Sequence, residues 1–65
     1  MIPYIGQRVR FNVVSDRNYT AKYGWIGTIT QYDDGSLYVK WDNYPRRDLF
    51  YLPKELQYLK ELGAR

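Results

Sequence analysis

The sequence predicts a mainly β chain, rolled into a small antiparallel barrel of about five strands, and three features predict it. First, Trp25-Ile26-Gly27-Thr28-Ile29-Thr30-Gln31-Tyr32 and Leu37-Tyr38-Val39-Lys40-Trp41-Asp42 flank Asp33-Asp34-Gly35-Ser36. Two runs rich in β-branched and aromatic residues around a short loop with a Gly able to take positive φ signal a β-hairpin. Second, the later run alternates, Leu37, Val39 and Trp41 on one face and Tyr38, Lys40 and Asp42 on the other. One face is meant for a core and the other for water or a partner. Third, 12 of the 65 residues are Phe, Tyr or Trp and none is Cys. A core of few positions must then be filled by large rings, without disulfides to staple it.

Sixty-five residues allow a single domain, spanning 1–65, because so short a chain cannot enclose two cores. With neither Cys nor His present, a zinc site is not expected and no metal ligands are assigned. Met1-Ile2-Pro3-Tyr4 lacks the basic and apolar parts of a secretion signal, and no apolar run reaches membrane-spanning length. The expected protein is soluble and cytoplasmic. Its net charge of +3, from 10 Lys and Arg against 7 Asp and Glu, is a mild excess that suits nucleic acid or an acidic protein surface.

In chain order, Gly6–Val14 predicts the first strand, with Val9, Phe11 and Val13 inward and Arg8, Arg10 and Asn12 outward. Ser15–Tyr23 is polar and aperiodic, with turn formers in Ser15, Asp16 and Asn18, and makes a first loop longer than a hairpin needs. Long loops in small domains often carry binding residues, which nominates Tyr19, Lys22 and Tyr23. Gly24 and Gly27 suit a sharp bend or a close backbone approach. Asp33–Ser36 lacks the further ligands of a calcium loop and is expected to be a turn. Asp42–Asp48 forms a second turn-rich loop, placing Tyr44 beside Arg46 and Arg47. Leu49–Leu52 predicts a fourth strand with Phe50 and Leu52 inward. From Pro53 to Gly63 two readings stand. Pro and Gly bracket a short helix with Leu56, Leu59 and Leu62 on one side; alternatively, a 3₁₀ turn at Pro53–Leu56 precedes a closing strand around Gln57–Lys60. Local propensity favours the helix.

Gly6-Gln7-Arg8-Val9-Arg10-Phe11 followed by Gly24-Trp25-Ile26-Gly27-Thr28-Ile29 resembles the "G-D-x-V-x-V … G-x-x-G-x-V" pattern of KOW and Tudor-like modules, members of the SH3-like small barrels. Val39-Lys40-Trp41-Asp42-Asn43 is similar to the "V-x-W-D-N" strand end of small bacterial and phage barrels. The likeness covers residues 6 to about 59, with Ser15–Tyr23 longer than the corresponding KOW link. It implies an SH3-like barrel and a phage or bacterial accessory factor, in the host cytoplasm if phage-encoded.

No enzyme is expected. The usual general base and the best nucleophile are both missing, the aspartates sit at predicted turns, and no cofactor loop is present. Three binding roles remain. A protein partner would meet Tyr19, Lys22, Tyr23, Trp25, Tyr44, Arg46 and Arg47, the Tyr/Trp/Arg composition of interface hot spots, along the groove that the resemblance implies beside the first loop. Nucleic acid would meet Arg8, Arg10 and Lys40 at phosphates and Tyr32, Tyr38 or Trp25 at bases. An open sheet edge offers an assembly surface. Eight Tyr exceed what so small a core can hold with every hydroxyl satisfied, so exposed rings are expected and a protein partner is placed ahead of nucleic acid.

Overall fold

The computed structural model describes residues 1–14 and 17–63; the turn formers Ser15 and Asp16 lie outside them. Five antiparallel strands form one sheet: β1 (Arg8–Phe11), β2 (Ile26–Asp33), β3 (Ser36–Trp41), β4 (Arg47–Tyr51) and β5 (Leu59–Glu61), in the order β4-β3-β2-β1-β5. The sheet curls over its core but does not close into a barrel. No ladder joins β4 to β5, so both remain edges.

Period-2 patterning decides β1 and β3. Val9 and Phe11 point inward from β1, and Leu37, Val39 and Trp41 from β3, all at most 1% exposed. Ile29, Phe50, Leu59 and Ala21 complete the buried core. The rings form one connected cluster. Tyr19 stacks on Phe50 with centroids 4.5 Å apart, Phe11 meets Tyr19 and Trp41 edge-on, and Trp25 joins Trp41 to Tyr44. Such geometries add stabilisation beyond area burial.

Gly24 turns the chain with φ +89 and Gly27 admits a close neighbour, since a Cβ there would lie 2.6 Å from the Lys40 carbonyl oxygen. The hairpin turn differs from expectation. Asp33 pairs with Ser36, yet neither Asp34 nor Gly35 takes positive φ. The turn is held by the Ser36 hydroxyl donating to Asp33 Oδ1 (3.3 Å) and, from outside, by Leu52 N–H donating to the Gly35 carbonyl (2.9 Å). β2 also carries an irregularity. Ile29 pairs with Val39 but Gln31 with Tyr38, leaving Thr30 as an extra residue, and such a bulge flips the alternation beyond it.

The C-terminal segment takes the 3₁₀ turn and closing strand, not the helix that local propensity favours. Lys54–Tyr58 makes a 3₁₀ turn with no buried residue, and Leu59–Glu61 pairs with β1, Phe11 opposite Leu59. A helix would have left that β1 edge unpaired and carried Leu59 off the core. β4 begins two residues before the expected strand, and its inward positions are Asp48 and Phe50, with Leu52 half-buried past its end.

Candidate functional site

Asp48 looks in sequence like a turn former, but it is a buried strand residue. Its Oδ2 accepts from Thr20 N–H (3.0 Å), Ala21 N–H (3.0 Å) and the Trp41 indole N–H (2.9 Å), and Oδ1 accepts from Thr20 N–H at 3.1 Å. One carboxyl group thus pins the first loop to β4 and satisfies the only polar atom of the largest core side chain, as buried donors require. The signal that points to it is arithmetic: a buried Trp needs an acceptor.

This pin fixes the fate of the first loop. Tyr19 is held into the core by Phe50, Phe11 and Tyr58 and is a packing residue, not an exposed contact. Lys22 is exposed beside a shallow concavity lined by Phe11, Val13, Val14, Arg17, Tyr19 and Ala21. Tyr23 stands 55% exposed. Of the loop's predicted contacts, Tyr19 and Lys22 share this concavity and Tyr23 lies outside its lining.

Around the β3–β4 connection, Lys40, Arg46 and Arg47 converge. Lys40 and Arg47 face each other across the two strands on the outer face, where directly opposed like charges are destabilising. Each cation finds a neutral partner. Arg47 lays its guanidinium 3.9 Å from the centroid of the Tyr38 ring, and Lys40 Nζ donates to the Trp41 carbonyl at 2.7 Å. Together with Arg46, Pro45 and the bulged Thr30 they line an open concavity of about 600 Å³. Among the described residues, no Asp or Glu lines it. On the other flank of the same connection, half-buried Trp25 and Tyr44 pack with centroids 5.5 Å apart. Beside them a smaller hollow of about 260 Å³ is lined by Gly24, Trp25, Ile26, Trp41, Asp42 and Asn43. Lys40, Arg46 and Arg47 thus share one concavity, while Tyr44 of the same connection packs with Trp25 against the core.

The arrangement expected for nucleic acid is broken up. Arg8 donates to both carboxyl oxygens of Asp42, at 2.7 and 2.6 Å, and to Thr28 Oγ1. The bonds from Arg8 hold the Asp42 carboxyl below its usual pKa, and those to Asp42 raise that of Arg8. Its charge is compensated in place. Arg10 is half-buried opposite Lys60 of β5. The Thr30 bulge puts Tyr32 opposite inward Leu37, on the other face from Tyr38. Tyr38 and Tyr32 therefore cannot form one stacking platform, and neither residue spacing nor composition foretold the bulge.

No group of three or more His, Cys, Asp or Glu among the described residues is placed to hold a metal ion, and no helix there is long and apolar enough to cross a membrane. No protein-family model, curated protein or solved structure matches the chain.

Proposed function

We propose that this chain is a small non-enzymatic binding module that recognises an acidic patch on a larger protein through the β3–β4 connection. One observation carries the reading: Lys40, Arg46 and Arg47 line a single concavity without a carboxyl group among the described residues, and the same β3–β4 connection carries Tyr44, packed with Trp25. Cations kept together against their own repulsion favour an anionic ligand, and Trp, Tyr and Arg at one site are the side chains that dominate protein interfaces. Protein is favoured over nucleic acid because the ring faces a base would stack on are already covered, whereas an interface can use the exposed edge of a half-buried ring. Arg47 covers Tyr38, and Trp25 packs against Trp41 and Tyr44. The strand order supports an SH3-like fold; a KOW or Tudor kind rests on the sequence resemblance, from which the longer first loop departs. A phage or bacterial setting, in the cytoplasm, rests on the sequence resemblance.

The test replaces Arg46 and Arg47 together with Glu. Nuclease-resistant capture of a protein from bacterial lysate by the original chain, lost in the double variant, is the expected result. Salt-sensitive binding of single- or double-stranded oligonucleotides at micromolar protein, with only nuclease-sensitive capture, would replace this reading by the nucleic-acid one.

A further inference from the structure

We infer that the free edge of β4 at Arg47–Leu49 is a docking strand for an extended acidic segment of the partner, which would add to the sheet as a sixth strand. This deepens the binding role proposed above and rests on it.

The register sets which backbone groups are available. Leu52 N–H donates to the Gly35 carbonyl, and the β3–β4 pairing continues from there as Leu37 with Phe50 and Val39 with Asp48. In an antiparallel ladder, hydrogen-bonded and non-hydrogen-bonded pairs alternate. Phe50 and Asp48 therefore turn their N–H and C=O groups toward β3, while Arg47, Leu49 and Tyr51 turn theirs outward. Among the described residues, no strand lies beyond β4. At its C-terminal end the edge is plugged: Glu55 Oε1 accepts from Tyr51 N–H at 2.8 Å. The first loop reaches β4 by other routes, through the Asp48 carboxyl group and the stacking of Tyr19 on Phe50. Among the described residues, no backbone hydrogen bond engages the outward groups of Arg47 or Leu49. An unplugged edge is a template for another extended chain.

Charge selects the occupant. A strand laid along Arg47–Leu49 places alternate side chains on the outer face beside Arg47, whose concavity Arg46 and Lys40 also line. Acidic residues at i and i+2 meet those cations. A second copy of this chain would bring its own Arg46 and Arg47 against them, and Tyr51 N–H is already taken, so self-pairing is disfavoured. The partner segment is about four residues long, since only Arg47 and Leu49 offer paired groups.

The experiment uses the full chain and a fluorescent synthetic peptide alternating Glu with Val, beside the same peptide N-methylated at alternate residues on the face that would pair. Binding of the unmodified peptide is expected to weaken about tenfold or more on methylation, since two backbone hydrogen bonds are lost at equal charge. Arg47 and Leu49 amides should also gain protection from hydrogen exchange. Leu49→Pro should abolish binding while leaving the fold, because an edge position facing outward tolerates Pro. Equal binding of both peptides, or no binding of either, overturns the added strand. The acidic-protein reading survives either result as long as Arg46→Glu/Arg47→Glu still abolishes nuclease-resistant capture. Dimerisation through β4 in sedimentation would likewise overturn the inference.

Discussion

Removing the Asp48 carboxyl group should cost this domain half its stability or more. Asp48→Ala leaves three donors without their acceptor: Thr20 N–H, Ala21 N–H and Trp41 Nε1–H. Ala21 and Trp41 are buried, and a buried donor left unsatisfied costs about 1–3 kcal/mol. The two together give roughly 2–6 kcal/mol, against a total of about 3–10 kcal/mol for a chain of this length. Asp48→Asn separates the contacts from the volume. With its amide oxygen at the Oδ2 position it keeps the bonds to Ala21, Trp41 and Thr20, and only the Oδ1 contact to Thr20 becomes an apposed pair of donors. Its cost should be about 1–2 kcal/mol. Urea unfolding followed by tryptophan fluorescence measures both, and a double-mutant cycle with Trp41→Phe isolates the indole bond. If Ala costs no more than Asn, or less than about 1 kcal/mol, Asp48 does not anchor the first loop.

Other consequences can be measured alongside. Gly27→Ala should lower stability by about 1–3 kcal/mol, because its Cβ would lie 2.6 Å from the Lys40 carbonyl oxygen and 2.8 Å from Trp41 Cε3. Gly35→Ala, with nothing within 4 Å and no positive φ, should stay within about 0.5 kcal/mol in the same denaturation assay. Tyr19→Ala should cost roughly 2–4 kcal/mol by unstacking Phe50, whereas Arg46→Glu/Arg47→Glu should change binding and leave the denaturation midpoint nearly unmoved. The Asp42 carboxyl is held below its ordinary pKa by Arg8. The stability this gives is complete above the unfolded-state value and is lost as pH falls through the lower, folded one. Arg8→Ala should move the Asp42 titration, followed by NMR, back up toward the ordinary value and remove that acid-side slope. An unchanged Asp42 titration would mean that the ion pair does not form in solution.

The alternation of apolar and polar residues was enough to place β1 and β3 and to name Val9, Phe11, Val39 and Trp41 as core, because in a half-buried strand every second residue must leave water. Local chemistry also located the bend at Gly24 and the close approach at Gly27. Tertiary contacts settled the remainder. Leu56, Leu59 and Leu62 satisfy a helix as well as they satisfy a turn and strand, and the open edge of β1 resolved the choice by taking Leu59–Glu61 as its partner. Asp48 reads as a turn residue until Trp41 is seen to need an acceptor across the fold. A one-residue bulge at Thr30 put Tyr32 and Tyr38 on opposite faces, and the Arg8–Asp42 pair bridges 34 positions of chain. Periodicity reports how each residue partitions between water and core along its own strand. Which distant donor, edge or charge meets it depends on register, and register is a property of two strands rather than of one.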